Sequence, residues 1–191
     1  MTQSLHQRFT FAEYVLLEEM STVRHEYLDG QAWAMAGGSP QHAAIAGNVI
    51  GHLRQSLKGK RCRVFTSDLR VRVVETGLGT YPDASVICGD IELDSEDPKR
   101  HTAVNPIFLL EVLSPTTADY DAGEKLEHYK RIESLREVLL VSSSERSVTH
   151  WQRERGGEWT ASTVLARGEV ELRSIGCILP LDEIYFDPLE A

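Results

Sequence analysis

The chain has 191 residues, of which 41% are hydrophobic and 26% charged, and this suits one packed α/β domain over residues 1–191. A formal net charge of −9 speaks against a tight, nonspecific grip on nucleic acid, because phosphate binding depends on local positive charge. No apolar run reaches the roughly 20 residues that span a bilayer, and MTQSLHQRFTFAEY shows neither a basic leader nor an apolar signal core. Cys62, Cys88 and Cys177 are odd in number and never form CxxC, which argues against a disulfide framework and a cysteine-built zinc site. A cytoplasmic protein with no membrane partner is expected.

In chain order, Thr10 and Glu13 form a capping-box pattern that opens a short helix over 11–20. Asp29-Gly30 between HEYL and QAWAMA is a hairpin signal. Ser39 and Pro40 start a main helix that runs to about Gly59 on an apolar stripe including Ile45, Val49 and Leu53. Residues 64–74 alternate Leu69, Val71 and Val73 with Asp68, Arg70 and Arg72, and predict one strand with a solvated arginine face. YPDASVICG predicts a short strand. The acidic loop 90–98 carries five acids in nine residues. PIFLLEVL reads as a central strand covered on both faces. A second main helix is predicted at roughly 119–134, a buried strand at 137–142, and, as the last element, a hairpin at 146–154 and 158–165 turned by Gly156-Gly157. The whole describes α/β (α+β) architecture, a mixed central sheet flanked by helices with additional hairpins.

Glu111 carries the chemistry. It interrupts an apolar strand, and an ionised carboxylate buried there costs several kcal/mol unless a cation compensates. Asp83 opens the other apolar strand, and if the two strands are neighbours the carboxylates face one another and suit Mg²⁺. Lys125 borders a helical stripe of Leu126, Tyr129 and Ile132, within reach of the same point. His42, in the first turn of its helix, and Tyr129 are candidate substrate-binding or supporting residues. Arg70 and Arg72 are candidates for nucleic-acid contact, with Lys58, Lys60, Arg61 and Arg63 as a further basic surface. No HExxH, GxSxG, GxxxxGK[ST] or GxGxxG occurs.

The stretches RHEYLDGQAWAMAGGSPQHAAIAGNV, YPDASVIC, LLEVLSPTTADYDAGEKLEHYKRI and LDEIYF together resemble the putative restriction endonuclease (Uma-type) family of the PD-(D/E)XK nuclease superfamily. The resemblance implies phosphodiester hydrolysis of nucleic acid, DNA in preference to RNA, with Mg²⁺ or its substitute Mn²⁺, by a homodimer. It implies that Asp83, Glu111 and the backbone carbonyl of Val112 hold metal, that Lys125 positions water, and that Glu26 adds a carboxylate. The nuclease motif has a lysine two residues after the glutamate, where this chain has Leu113. Lys125 on the following helix would take its place. The contrasting function is a catalytically silent nucleic-acid- or protein-binding module on the same fold, which Leu113 and the −9 charge favour. A hydrolase of smaller phosphate compounds is a third.

Overall fold

The computed structural model describes residues 8–186. Residues 1–7 of the segment read for a leader lie outside that span. In chain order the elements are α1 Phe11–Glu18, β1 His25–Leu28, β2 Gln31–Ala34, α2 Pro40–Ser56, β3 Cys62–Thr66, β4 Arg70–Arg72, β5 Gly79–Thr80, β6 Ala84–Cys88, β7 Thr102–Ala103, β8 Phe108–Leu113, α3 Ala118–Ala122, α4 Glu124–Tyr129, β9 Glu137–Ser142, β10 Ser147–Arg153, β11 Trp159–Leu165, β12 Glu169–Leu172, β13 Cys177–Pro180 and α5 Leu181–Ile184.

The central sheet has six strands in the order β11-β10-β9-β8-β6-β3, with β8 and β9 parallel and the other pairs antiparallel. Alternation along β8 explains how one apolar strand serves two layers. Phe108, Leu110 and Val112 join a core with Ile45, Val49 and Leu53 of α2, together with β12, β13 and α5. Leu109 faces the opposite core, where Leu126 and Tyr129 of α4 pack with Val71, Val73 and Leu78. Glu111, two residues on from Leu109, points to that second side. A smaller sheet, ordered β2-β1-β5-β4-β7, lies there, and its outer layer is α1, where Phe11, Tyr14 and Val15 pack on Tyr27.

Four expectations need correction. The strand expected over 64–74 breaks at a turn, where the Leu69 amide donates to the Thr66 carbonyl and Thr66 Oγ1 donates to Asp68. Its two halves enter different sheets, and this buries the arginines. Arg70 donates to Thr102 Oγ1, Tyr81 OH and Asp97, while Arg72 donates to both oxygens of Asp94 and to Glu96. The acidic loop is therefore the counter-charge of these two arginines, and neither is free to touch nucleic acid.

The helix expected over 119–134 is two short ones, broken at Gly123. A Cβ there would sit 2.6 Å from the Asp119 carbonyl oxygen, so the tight turn requires glycine. Cys62 and Cys88 form a disulfide, because antiparallel pairing of β3 with β6 sets them directly opposite each other across 26 residues of sequence. Spacing could not reveal that register, and the cysteine pattern no longer speaks for a reducing compartment. Finally, the chain continues past β11 into the β12–β13 hairpin and α5. No helix among the described residues is long and apolar enough to cross a membrane.

Candidate active site

Three local devices aim side chains at one point. The β8 alternation turns Glu111 toward α4. Pairing of β6 with β8, Ala84 opposite Leu110, brings Asp83 alongside, and Asp83 Oδ2 accepts the Val112 amide at 2.7 Å. The break at Gly123 starts α4 afresh, so that Lys125 lies in its first turn with the stem buried beside Leu126.

Lys125 Nζ is the hub. It lies 3.0 Å from Glu111 Oε1, 3.0 Å from Glu26 Oε1 and 3.1 Å from Asp121 Oδ1, with all four side chains buried. Tyr129 OH donates to Glu111, and Thr80 Oγ1 donates to Glu26. On the other side, His42 Nε2 lies 3.2 Å from Asp83 Oδ2. Ser39 caps α2 by accepting the His42 amide, and Gly38 allows the imidazole to lie against the chain, since a Cβ there would meet His42 Nδ1 at 2.7 Å.

The electrostatics follow from this crowding. Burial, and then the nearby Asp83 and Asp121, push the Glu111 carboxyl up to about 8, against the pull of Lys125 and the Tyr129 hydroxyl. Burial alone would lower Lys125, but Glu111, Tyr129, Glu26 and Asp121 more than offset it and hold the ammonium charged. The hydrogen bond to Asp83 raises His42 above its ordinary value. Four carboxylates (Glu26, Asp83, Glu111 and Asp121) thus share the fixed charge of Lys125 and a titrating His42.

These groups line a cleft of about 720 Å³. Its far wall is the outer hairpin strand β2 with the segment after it, and the N-terminal half of α2, including Ala43, Ala46 and Gly47. The helix stripe read from sequence therefore serves two purposes: Ile45, Val49 and Leu53 enter the core, while its neighbours face the cleft.

Most of the residues singled out from sequence meet here: Asp83, Glu111, Val112, Lys125, Glu26 and His42 line the cleft, and Tyr129 buttresses it from beneath. Arg70 and Arg72 do not. Neither do Lys58, Lys60, Arg61 and Arg63: the first three follow the far end of α2, roughly 20 Å of helix beyond Ala43, Lys60 donates to the carbonyls of Ile175 and Gly176, and Arg63 on β3 is not among the lining residues. Two site residues escaped the sequence reading. Asp121 could have been found from its i,i+4 spacing to Lys125. Tyr120, whose hydroxyl is buried in the cleft without a partner among the described residues, carried no signal.

Leu113 occupies the position of the motif lysine and is partly buried against the second core. The ammonium that reaches Glu111 comes from Lys125 instead.

A model of the Uma2 family, described as putative restriction endonucleases, matches residues 11–176. The chain belongs to the Uma2 family. Two Synechocystis sp. (strain PCC 6803) proteins are similar to this Uma2 chain, both described as uncharacterized. One, slr1290, is 36% identical over 91% of this chain and 89% of its own length. The other, sll1609, is 29% identical over 85% of this chain and 91% of its own. The Uma2 chain is also similar in fold to the crystal structure of a putative nuclease belonging to DUF820 from Anabaena variabilis, with a TM-score of 0.75 and 18% identity over 93% of this chain and 97% of that one. The fold is that of the restriction-endonuclease-like nucleases.

Proposed function

We propose that this chain is a divalent-cation-dependent endonuclease that hydrolyses phosphodiester bonds, with DNA as the preferred substrate and Mg²⁺ or Mn²⁺ as the ion. The observation that carries the reading is the cluster of Glu111, Glu26 and Asp121 around a single buried lysine at the floor of an open cleft, with Asp83 beside it on the neighbouring strand. Family membership supports a nuclease-like role, and its description as restriction endonucleases is the reason for preferring DNA.

The donor set fits a hard cation. Asp83 and Glu111 offer carboxylate oxygens, the Val112 carbonyl is a neutral oxygen donor, and a bound cation would offset the burial, and then the neighbouring carboxylates, that lift Glu111. Among the described residues no group of three or more acidic, histidine or cysteine side chains is placed to hold a metal ion. An ion here would therefore rest on one or two carboxylates and complete its sphere with water and substrate phosphate, as Mg²⁺ can. Asp83, Glu111 and Val112 would hold the ion, which when bound supplies Lewis-acid polarisation and a more acidic water.

The chain's own groups do the rest. Lys125, fixed by three carboxylates, presents a permanent positive charge where negative charge grows on the phosphoryl oxygens. Tyr129 and Asp121 hold the lysine and Glu111 in place. His42 and the Tyr120 hydroxyl can donate to a phosphate oxygen entering from the cleft. Glu26 fixes Lys125 from the hairpin side and is a supporting carboxylate here. A homodimer remains part of the proposal: β11 is an exposed edge of the central sheet, and sedimentation of the purified chain tests whether it pairs. The function is tested by incubating single- and double-stranded DNA and RNA with Mg²⁺ or Mn²⁺. Cleavage that Glu111→Ala abolishes supports it, and intact substrates throughout would leave the silent binding module as the better reading.

A further inference from the structure

Register in the hairpin places a second kind of group beside the cluster. Glu26 on β1 pairs directly with Trp33 on β2, and cross-strand partners project from the same face with Cβ atoms about 4.5–5.5 Å apart. Glu26 is buried in the lysine cluster. Trp33, on the same face, lines the cleft and is 36% exposed. Among the described residues it has no aromatic or cationic partner, unlike Phe11, Tyr14 and Tyr27, which pack on one another. A large aromatic side chain left bare next to buried carboxylates is a surface for a flat ligand. Ala46 and Gly47 of α2 line the same cleft and leave room for one: a Cβ at Gly47 would meet nothing within 4 Å.

Charge points the same way. Gripping the backbone of a duplex takes several lysines or arginines near the scissile bond. Among the described residues the only exposed cation lining this cleft is Arg24, itself paired with Asp68, while Lys58, Lys60 and Arg61 follow the far end of α2, Arg63 on β3 is not among the lining residues, and Arg70 and Arg72 are sealed in ion pairs. An unpaired nucleotide needs less positive charge, because stacking on an aromatic ring supplies part of the binding.

We propose that Trp33 is a base-stacking platform, and that this site takes an unpaired nucleotide of a single strand rather than the body of a duplex. The proposal rests on the nuclease reading and names its substrate class. Stacking would seat the base on β2 and direct its phosphate toward Lys125 and His42.

The test uses the full chain, with Ca²⁺ in place of Mg²⁺ to hold back cleavage, titrated with an oligothymidylate of about twelve nucleotides and with a duplex of equal length. The single strand should bind at least about tenfold more tightly and quench tryptophan emission. Trp33→Ala should weaken that binding about 5- to 150-fold, the range expected for losing one stacked base. Trp33→Phe should retain most of it. Gly47→Leu should block binding while leaving thermal stability intact or improved, since the added side chain enters open space and leucine favours helix. The same oligonucleotides are then offered with Mg²⁺ or Mn²⁺. Equal binding and equal cleavage of single strand and duplex, unaffected by Trp33→Ala, overturns the platform and leaves the nuclease intact. Trp33-dependent binding of the single strand without any cleavage upholds the platform and removes the nuclease reading. Failure to bind either oligonucleotide overturns the proposal.

Discussion

Replacing Lys125 by methionine keeps the stem and removes the charge that three buried carboxylates share. At 3.0 Å from Glu111 and from Glu26, each contact is worth roughly 5 kcal/mol of attraction at an effective dielectric near 20. Desolvation cancels much of that in the intact cluster, but breaking a buried pair from one side costs about 3–5 kcal/mol, because the carboxylates stay behind uncompensated. For a chain of this size that is a fall in melting temperature of roughly 6–20 °C. Two consequences separate this cause from simple loss of packing. Adding Glu111→Gln to Lys125→Met should restore part of the loss, since one orphaned acid disappears. Millimolar Mn²⁺ should also stabilise Lys125→Met more than wild type, by the mass-action term of a bound ion. Calorimetric melting with and without Mn²⁺ measures both. A Lys125→Met variant that melts with the wild type, or one that neither change rescues, would refute the shared-charge account of the cluster.

Arg72→Ala should cost about 3–5 kcal/mol in urea unfolding, because Asp94 and Glu96 lose their partner; unchanged stability with weaker oligonucleotide binding would return the arginine to a DNA-contacting role. Asp97 accepts the Thr102 hydroxyl, the amides of Lys99, Arg100 and His101, and Arg70, and these bonds hold its carboxyl below the usual value despite burial. Its contribution is therefore complete above the unfolded value of about 4 and lost as pH falls below it. Asp97→Asn should lose about 1–3 kcal/mol at neutral pH and show a flatter acid limb than wild type, and two parallel limbs would contradict this. Gly123→Ala pushes a Cβ against the Asp119 carbonyl and should shift α4 with Lys125. Turnover should fall more than substrate affinity, whereas equal kinetics would show that the break does not position the lysine.

The local elements were legible where one residue's chemistry decides. The capping box at Thr10 forms as spelled, Asp29-Gly30 turns the first hairpin, and Ser39-Pro40 starts α2. Glu111 was legible for an energetic reason, since a charge inside PIFLLEVL demands a partner. What sequence could not supply was pairing at a distance. Arg70 and Arg72 look solvated until the small sheet turns them onto Asp94 and Asp97, which stand more than twenty residues away. Cys62 meets Cys88 only through strand register. Trp33 read as half of a hairpin, and its place beside Glu26 follows from which residues face each other across the turn.

That Asp83 and Glu111 hold one divalent ion between them is most directly tested by titrating Mn²⁺ into the wild type, Asp83→Asn and Glu111→Gln by calorimetry, with phosphodiester cleavage followed in the same samples. The wild type should take up at least one ion and cleave, and each variant should lose both the binding heat and the cleavage together. Mn²⁺ binding that survives both substitutions, or cleavage that persists in EDTA, would contradict it.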